Sequence, residues 1–141
     1  MPKNDQALTG LLQMALRCYQ TGQFEKATEC CHKVCAAAPE QADALHLLAI
    51  IYAKNCEFSL ANEFFGKAIA AAPQRADFYS NYGNALFEQG RFEEALRCCQ
   101  KSLEYDSANA GTHNILGSIF LSTNQLNDAV DSFRKALVMQ P

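Results

Sequence analysis

Small and apolar residues recur along the chain at a fixed interval of 34 residues, which divides it into four similar units. Alanine marks the interval most clearly, at Ala27, Ala61, Ala95 and Ala129. Proline keeps it at Pro39 and Pro73, and Pro141 follows after a further 68 residues. The copies align as 8–41, 42–75, 76–109 and 110–141, which leaves residues 1–7 as an N-terminal tail. We therefore predict a single repeat domain over 8–141.

Each unit carries apolar residues at helical spacing, interrupted once near its middle. Shared positions fall about three, four and seven residues apart, which is typical of an amphipathic helix. The interruption contains a residue pair suited to ending a helix in a left-handed conformation. These pairs are Thr21-Gly22, Asn55-Cys56, Gln89-Gly90 and Thr123-Asn124. The pattern predicts two helices and a tight turn in every unit, and hence an all-α fold.

The period and its shared residues resemble the tetratricopeptide repeat family. The fourth copy matches the family pattern at Leu116-Gly117, Phe120, Ala129, Phe133, Ala136 and Pro141, and the third at Tyr82-Gly83, Leu86, Ala95 and Cys99. The resemblance covers nearly the whole chain. It implies an α-solenoid of four helix-turn-helix units that form a right-handed superhelix, with a concave groove lined mainly by the first helix of each unit.

One small residue per unit stands where the two helices should approach each other. These residues are Ala15, Ala49, Gly83 and Gly117. We expect each to lie against the turn that bears the recurring alanine, where a larger side chain would force the backbones apart. Overpacking at such a position typically costs about 1–3 kcal/mol.

Composition and charge narrow the possible partners. The net charge is −3 and the basic residues are scattered, so the chain lacks the basic patch that nucleic-acid binding requires. It has no apolar stretch long enough to span a bilayer, and residues 1–6 lack the apolar core of a secretory signal. We expect a cytoplasmic protein that binds neither nucleic acid nor membrane.

Seven cysteines raise the question of a metal or redox site. Cys30, Cys31, His32 and Cys35 crowd one helical turn, but the paired Cys-x2-Cys spacing typical of zinc sites is absent. Cys31 and Cys99 occupy positions held in other units by phenylalanine, so we interpret them as small buried apolar side chains. Adventitious metal binding and redox chemistry remain the alternatives. We predict no cofactor and no metal.

Catalytic residues are not recognisable in the sequence. None of the three histidines, His32, His46 and His113, has a triad around it. The glycines are isolated and form no phosphate-binding loop. We predict that the protein is not an enzyme.

The inner stripe of each first helix supplies the candidate binding residues. In the first two units this stripe is apolar, and a contiguous exposed apolar patch is typical of an interaction site. In the last two units it is rich in asparagine, whose amide can both donate and accept hydrogen bonds to a peptide backbone. We predict a peptide-binding groove formed by Leu12, Leu16, Tyr19, His46, Leu47, Ile50, Asn81, Asn84, Phe87, Asn114 and Ser118.

Two known groove chemistries of the family can be compared with this stripe. Repeats that clamp a C-terminal carboxylate use cations and asparagine at set positions, whereas this chain has Leu12, Leu16, Asp43 and Asp77 there. The segments 42–49, 81–86 and 90–95 are similar to the N-terminal repeats of bacterial O-GlcNAc-transferase-like proteins. In that family an asparagine ladder holds acceptor polypeptides. Asn81 matches the ladder, but its other positions are Gln13, Leu47 and Ile115.

The last unit predicts a second surface. Its second helix would leave apolar residues uncovered, because an array needs a terminal element with a polar outer face. We expect self-association through Val130, Phe133, Leu137 and Met139, or a longer natural protein.

The favoured function is a non-catalytic module that binds a protein segment in its groove, as part of a larger protein. The alternative is a self-assembling scaffold that acts through its end faces and convex surface.

Overall fold

The computed structural model of the protein describes residues 2–140, and these form eight helices. In chain order the helices are α1 (Pro2–Gln20), α2 (Phe24–Ala37), α3 (Ala42–Lys54), α4 (Phe58–Ala71), α5 (Ala76–Glu88), α6 (Phe92–Tyr105), α7 (Ala110–Ser122) and α8 (Leu126–Met139). Strands are absent from this part of the chain. Helices α3, α5 and α7 begin at the predicted unit boundaries of 42, 76 and 110. The prediction of an all-α fold of four helical hairpins is confirmed.

The first helix is longer than the sequence pattern indicated. It begins at Pro2, so residues 2–7, predicted as a tail, belong to α1. Proline is well tolerated in the first helical turn, because its missing amide has no intrahelical partner there. The next glycine or proline in the sequence is Gly10, and α1 continues through it to Gln20. Met1 and Pro141 lie outside the described residues.

All four hairpin turns have the same backbone conformation. Each turn contains one residue with positive φ. These residues are Gly22 (79°), Cys56 (61°), Gly90 (76°) and Asn124 (62°). The next residue donates its N–H to a carbonyl five positions earlier, at 2.7 to 3.0 Å. This is the Schellman closure of a helix C-terminus. The left-handed residue of the second turn is therefore Cys56 and not the neighbouring Asn55.

Contacts divide the chain into two compact units, Met1–Pro73 and Gln74–Pro141, where the sequence predicted one domain over 8–141. The first unit contains α1 to α4, and α3 packs against both α1 and α2. Its core combines small residues of the first hairpin, including Ala15, Ala27 and Cys31, with Leu48 and Ile51 of the second.

The second unit contains α5 to α8 and repeats this arrangement. Helix α7 packs against α5 and α6. Leu86, Ala95 and Cys99 of the third repeat form a core with Leu116 and Ile119 of the fourth. Ser102 lies in the same interior and is satisfied by two hydrogen bonds, a donation to the carbonyl of Ala76 at 2.8 Å and a hydroxyl contact with Thr112 at 2.9 Å.

The small residues of the first helices do allow close approach, but with varied neighbours. A Cβ added to Gly83 would lie 3.2 Å from the Cys99 Sγ and 3.4 Å from the Ala95 carbonyl oxygen. A Cβ added to Gly117 would lie 2.6 Å from the Phe133 ring, so the nearest neighbour of this glycine is an aromatic side chain. The difference arises because Phe133 fills in the fourth hairpin the space that Cys99 leaves in the third.

Candidate peptide-binding surface

The first unit presents an apolar surface along α1 and α3. Leu16 is 43% exposed, and Leu12, Tyr19 and Ile50 are half-buried. Leu12 and Leu16 lie one helical turn apart, so they share a face of α1. Four of the six groove residues predicted in this unit are therefore accessible to a partner.

The other two predicted residues of this unit belong to its interior. Leu47 is only 3% exposed and packs in the core with Leu48 and Ile51. His46 is 9% exposed, and its ring meets the edge of Phe65 with 5.9 Å between ring centres. Their assignment to the groove was wrong. Helix α3 packs on the preceding hairpin, and this contact covers a flank that sequence periodicity alone cannot distinguish from an open face.

Asparagine residues dominate the corresponding surface of the second unit. Asn84 and Asn114 are exposed, and Asn81, Phe87 and Ser118 are half-buried. The Asn84 amide donates to the Glu88 carboxylate at 3.3 Å, while the Ser118 hydroxyl donates to the Asn114 carbonyl at 3.1 Å. A peptide backbone would therefore meet at Asn84 an amide already oriented by a carboxylate.

Tyr19 and Phe87 have a second role that the sequence did not indicate. Tyr19 contacts Phe24 across the first hairpin turn, with ring centres 5.6 Å apart, and Phe87 contacts Phe92 in the same way at 5.7 Å. Each pair packs against the core of its own unit. Lys54 lies over the Tyr19 ring at 5.7 Å and places a cation at the edge of the apolar surface of the first unit.

A wide cavity of about 840 Å³ lies beside the turns of the first unit and not on the predicted groove. Phe24 and Tyr52 supply its apolar walls, and Glu25, Lys26 and Glu57 supply charge. Two turns more than thirty residues apart in sequence come together here. Neither hairpin alone carries a pattern that could have predicted the cavity.

Three of the cysteines have thiols with strongly raised pKa values, and two of the histidines are within hydrogen-bond distance of an oxygen. Burial raises the pKa of Cys31 and of Cys99 to about 12 and that of Cys98 to about 11, so these thiols stay protonated near neutral pH and are poor nucleophiles. The His113 imidazole contacts the Ser107 carbonyl at 3.1 Å, and His32 contacts the Tyr52 hydroxyl at 3.2 Å.

Neither a metal cluster nor a disulfide is formed by the described residues. No three His, Cys, Asp or Glu side chains among them converge as metal ligands, and the seven cysteines are free thiols. None of the helices in residues 2–140 has both the length and the apolar character that crossing a bilayer requires.

The predicted self-association residues lie on α8. Leu137, at 64%, is well exposed, and Val130 and Met139 are exposed as well. Phe133 is half-buried, because its ring packs over Gly117. Three of the four residues thus reach the surface, while Phe133 belongs mainly to the hairpin interior.

Comparison with known proteins agrees with this architecture. Residues 74–140 match the tetratricopeptide repeat model, and the helical hairpins continue with the same period through the first unit. Residues 74–140 are therefore identified as tetratricopeptide repeats. The fold of the chain is that of solved tetratricopeptide repeat solenoids, as the sequence analysis predicted.

Among the relatives, the type IV pilus assembly protein PilF of Pseudomonas aeruginosa is 33% identical over 137 residues, which cover 94% of this chain and 54% of PilF. A solved structure of Pseudomonas aeruginosa PilF superposes with a TM-score of 0.90 at 29% identity, covering 96% of this chain and 62% of that one. The chain thus spans little more than half the length of these relatives.

Two further solved structures share the repeat fold. MamA superposes with a TM-score of 0.83 at 21% identity, covering 94% of this chain and 78% of MamA. An O-GlcNAc transferase from Thermobaculum terrenum superposes with a TM-score of 0.80 at 25% identity, covering 82% of this chain but only 22% of the transferase. The predicted likeness to such transferases is therefore found, and it concerns a small part of that enzyme.

Proposed function

We propose that this protein is a non-catalytic module that binds an extended protein segment on the inner face of its first helices. Tetratricopeptide repeat proteins are protein-interaction modules, which supports the general class. The observation that carries the specific proposal is the apolar surface of the first unit, where Leu16 is 43% exposed beside Leu12 and Ile50.

Apolar side chains of the partner are the main source of affinity in this proposal. Burial of apolar surface contributes about 25 cal/mol per Å². Leu12 and Leu16 are one turn apart on α1, so they can contact neighbouring apolar side chains of a bound segment. Lys54, at the edge of this surface over Tyr19, favours a carboxylate or a backbone carbonyl nearby.

The second unit offers a polar surface of its own. Asn84 and Asn114 can hydrogen-bond a peptide backbone without selecting its side chains. Glu88, which accepts from Asn84, favours a basic residue of the partner at that point. Sequence preference would therefore come from apolar contacts on the first unit and from charge on the second.

The relatives suggest the setting in which such a module works. One of them is named a type IV pilus assembly protein. We therefore also propose that the partner is a component of a macromolecular assembly. A pilus assembly apparatus is the first candidate. The cytoplasmic location expected from the sequence stays a prediction.

Selection of peptides on the purified protein tests this proposal. Binders from a random peptide library would be measured by fluorescence anisotropy against the wild type and Leu16→Glu. We expect Leu16→Glu to weaken binding at least about tenfold, which corresponds to about 1.4 kcal/mol, because it places a carboxylate in the apolar contact.

Leu60→Glu is the matched control, because Leu60 is similarly exposed, at 38%, but lies on α4 outside this surface. It should leave the affinity within about twofold, and circular dichroism should show equal helicity for both variants. Selected peptides that bind Leu16→Glu as tightly as the wild type would refute the proposed surface.

A further inference from the structure

A cleft beside the two hairpin turns of the first unit has the chemistry of a second binding site. It is the cavity of about 840 Å³ lined by the start of α2 and by the turn between α3 and α4. We call it the turn cleft. Its lining residues all belong to the unit Met1–Pro73, and none of them is Leu12, Leu16 or Ile50 of the proposed peptide surface. Ligand sites typically have volumes of about 300–1,000 Å³.

Two aromatic rings form the apolar walls of the turn cleft, and neighbouring side chains hold both in place. Phe24 is half-buried, and its ring packs against Tyr19 with 5.6 Å between ring centres. Tyr52 is also half-buried, with its ring 5.5 Å from that of Phe64 and its hydroxyl 3.2 Å from the His32 Nε2. Because the rings are already ordered, a ligand that stacks on them loses little affinity to their immobilisation.

Carboxylates outnumber cations around these rings. Glu25 and Glu57 line the turn cleft, and Lys26 is the single cation among the described residues that line it. Both glutamates are exposed, and neither forms an ion pair within residues 2–140. Glu57 precedes α4 as its N-cap residue, but its side chain makes no capping hydrogen bond. Both carboxylates can therefore accept hydrogen bonds from a cationic ligand.

Negative charge lies close to the Tyr52 hydroxyl. Burial raises the pKa of this hydroxyl above its ordinary value of 10.0, and the carboxylates of Glu57 and Glu63 raise it further. Nearby anions have this effect because they oppose the formation of a phenolate. The same charges attract a cation to the face of the Tyr52 ring.

The equivalent turn of the second unit contains a guanidinium of its own. Arg91 donates to both carboxylate oxygens of Glu94, at 2.9 and 2.6 Å, and the two residues line a smaller cavity of about 290 Å³. In the first unit, 68 residues earlier, Gln23 occupies the position of Arg91 and Glu57 that of Gln125. The turn cleft thus lacks this arginine and has a carboxylate where the second unit has an amide.

These observations favour a planar cationic group as the ligand. We propose that the turn cleft binds an arginine side chain carried by a segment of a partner protein. A guanidinium can stack on the rings of Phe24 and Tyr52 while its N–H groups donate to the carboxylates beside them. An ammonium has no flat face and cannot make both kinds of contact. The cavity is much larger than one guanidinium, so residues next to the arginine fit as well.

Titration of the full chain with a short peptide, followed by NMR of the backbone amides, tests this proposal. The probe is an N-acetylated and C-amidated Gly-Arg-Ala-Arg-Gly peptide, which lacks large apolar side chains. We expect saturable shifts at the amides of Gly22, Phe24 and Asn55, and none with a peptide that has glutamine in place of arginine. The lysine peptide should bind more weakly. Absence of saturable shifts at millimolar peptide would overturn the proposal, and equal binding of the lysine peptide would reject guanidinium stacking.

Charge variants assign the binding to the turn cleft. Glu25→Gln and Glu57→Gln should each raise the dissociation constant of the arginine peptide about threefold, and together about tenfold. Lys26→Gln should lower it, because the competing cation is removed. Glu29→Gln is the matched control and should leave it unchanged, since Glu29 is an exposed residue one turn further along α2 that pairs with Lys33 at 3.1 Å. Equal effects of Glu25→Gln and Glu29→Gln would show that only net charge matters and would overturn the assignment.

Failure of this proposal can be told apart from failure of the proposed function. Leu16→Gln removes an apolar contact of the peptide surface without a change in charge, and it should leave binding of the arginine peptide unchanged. Binding that is lost in Leu16→Gln but kept in Glu57→Gln would overturn the turn cleft as the arginine site and leave the peptide surface in place.

Discussion

Single residues decide how closely each pair of helices packs. Gly117 lies against the Phe133 ring, while Gly83 has the smaller Cys99 and the Ala95 carbonyl as neighbours. The sequence predicted that both positions must be small. It could not rank them, because the available room depends on the rotamer and depth of the facing side chain.

Gly117→Ala is expected to destabilise the protein. Its methyl group would lie 2.6 Å from the Phe133 ring, which has to shift. The overpacking cost of about 1–3 kcal/mol exceeds the gain of about 1 kcal/mol from replacing a helical glycine by alanine. Urea denaturation measures the difference in the free energy of unfolding.

Gly83→Ala is the matched control for this prediction. Its methyl group would lie 3.2 Å from the Cys99 Sγ, so small adjustments suffice and helix propensity offsets their cost. We expect a change of less than about 1 kcal/mol. Equal stability losses for the two variants would contradict the packing described for Gly117.

The ends of the helices could be predicted from the sequence more accurately than the faces that the helices expose. The four residue pairs at the turns indicated correctly where each hairpin bends. All four left-handed residues fall within those pairs. The faces of the first helices were harder to assign. Gln13, Leu47 and Ile115 are equivalent by repeat, yet Gln13 is exposed, Leu47 is buried and Ile115 is half-buried. The burial of this position depends on whether a preceding hairpin packs against that side of the helix.

Cys56→Gly is expected to stabilise the turn between α3 and α4. Cys56 has a φ of 61°, and a residue with a Cβ pays roughly 1–2 kcal/mol for that conformation. Part of the gain is offset because glycine is more flexible in the unfolded chain, which leaves about 0.5–1 kcal/mol. The shift should appear in the urea midpoint.

The reverse change at the equivalent turn serves as control. Gly22→Ala, at a φ of 79°, should lower the free energy of unfolding by about 1 kcal/mol. A Cys56→Gly variant no more stable than the wild type would show that the left-handed conformation carries no penalty at this turn.

For the whole molecule, the buried thiols couple stability to alkaline pH. A thiol ordinarily loses its proton near pH 9.0, but burial raises the pKa of Cys31 and Cys99 to about 12 in the folded protein. Above pH 9.0 the unfolded chain therefore binds fewer protons than the folded one. The free energy of unfolding should be highest below that pH and fall as the pH rises toward about 12.

Denaturation from about pH 8 to about pH 10.5 measures this slope. The variant that combines Cys31→Ala with Cys99→Ala removes two of the titrating groups and should show a shallower fall, although it is less stable throughout. A slope unchanged by the double substitution would mean that other groups account for the alkaline loss.

The repeat, the four hairpins and their turns could be predicted from the sequence, because periodicity and left-handed turn residues act locally and recur in every copy. The sequence also indicated the inner apolar positions Leu12 and Leu16. The burial of His46 and Leu47 and the packing of Phe133 over Gly117 emerge only from the tertiary structure. Burial depends on which neighbouring helix lies over a residue, and the spacing within one helix does not contain that information.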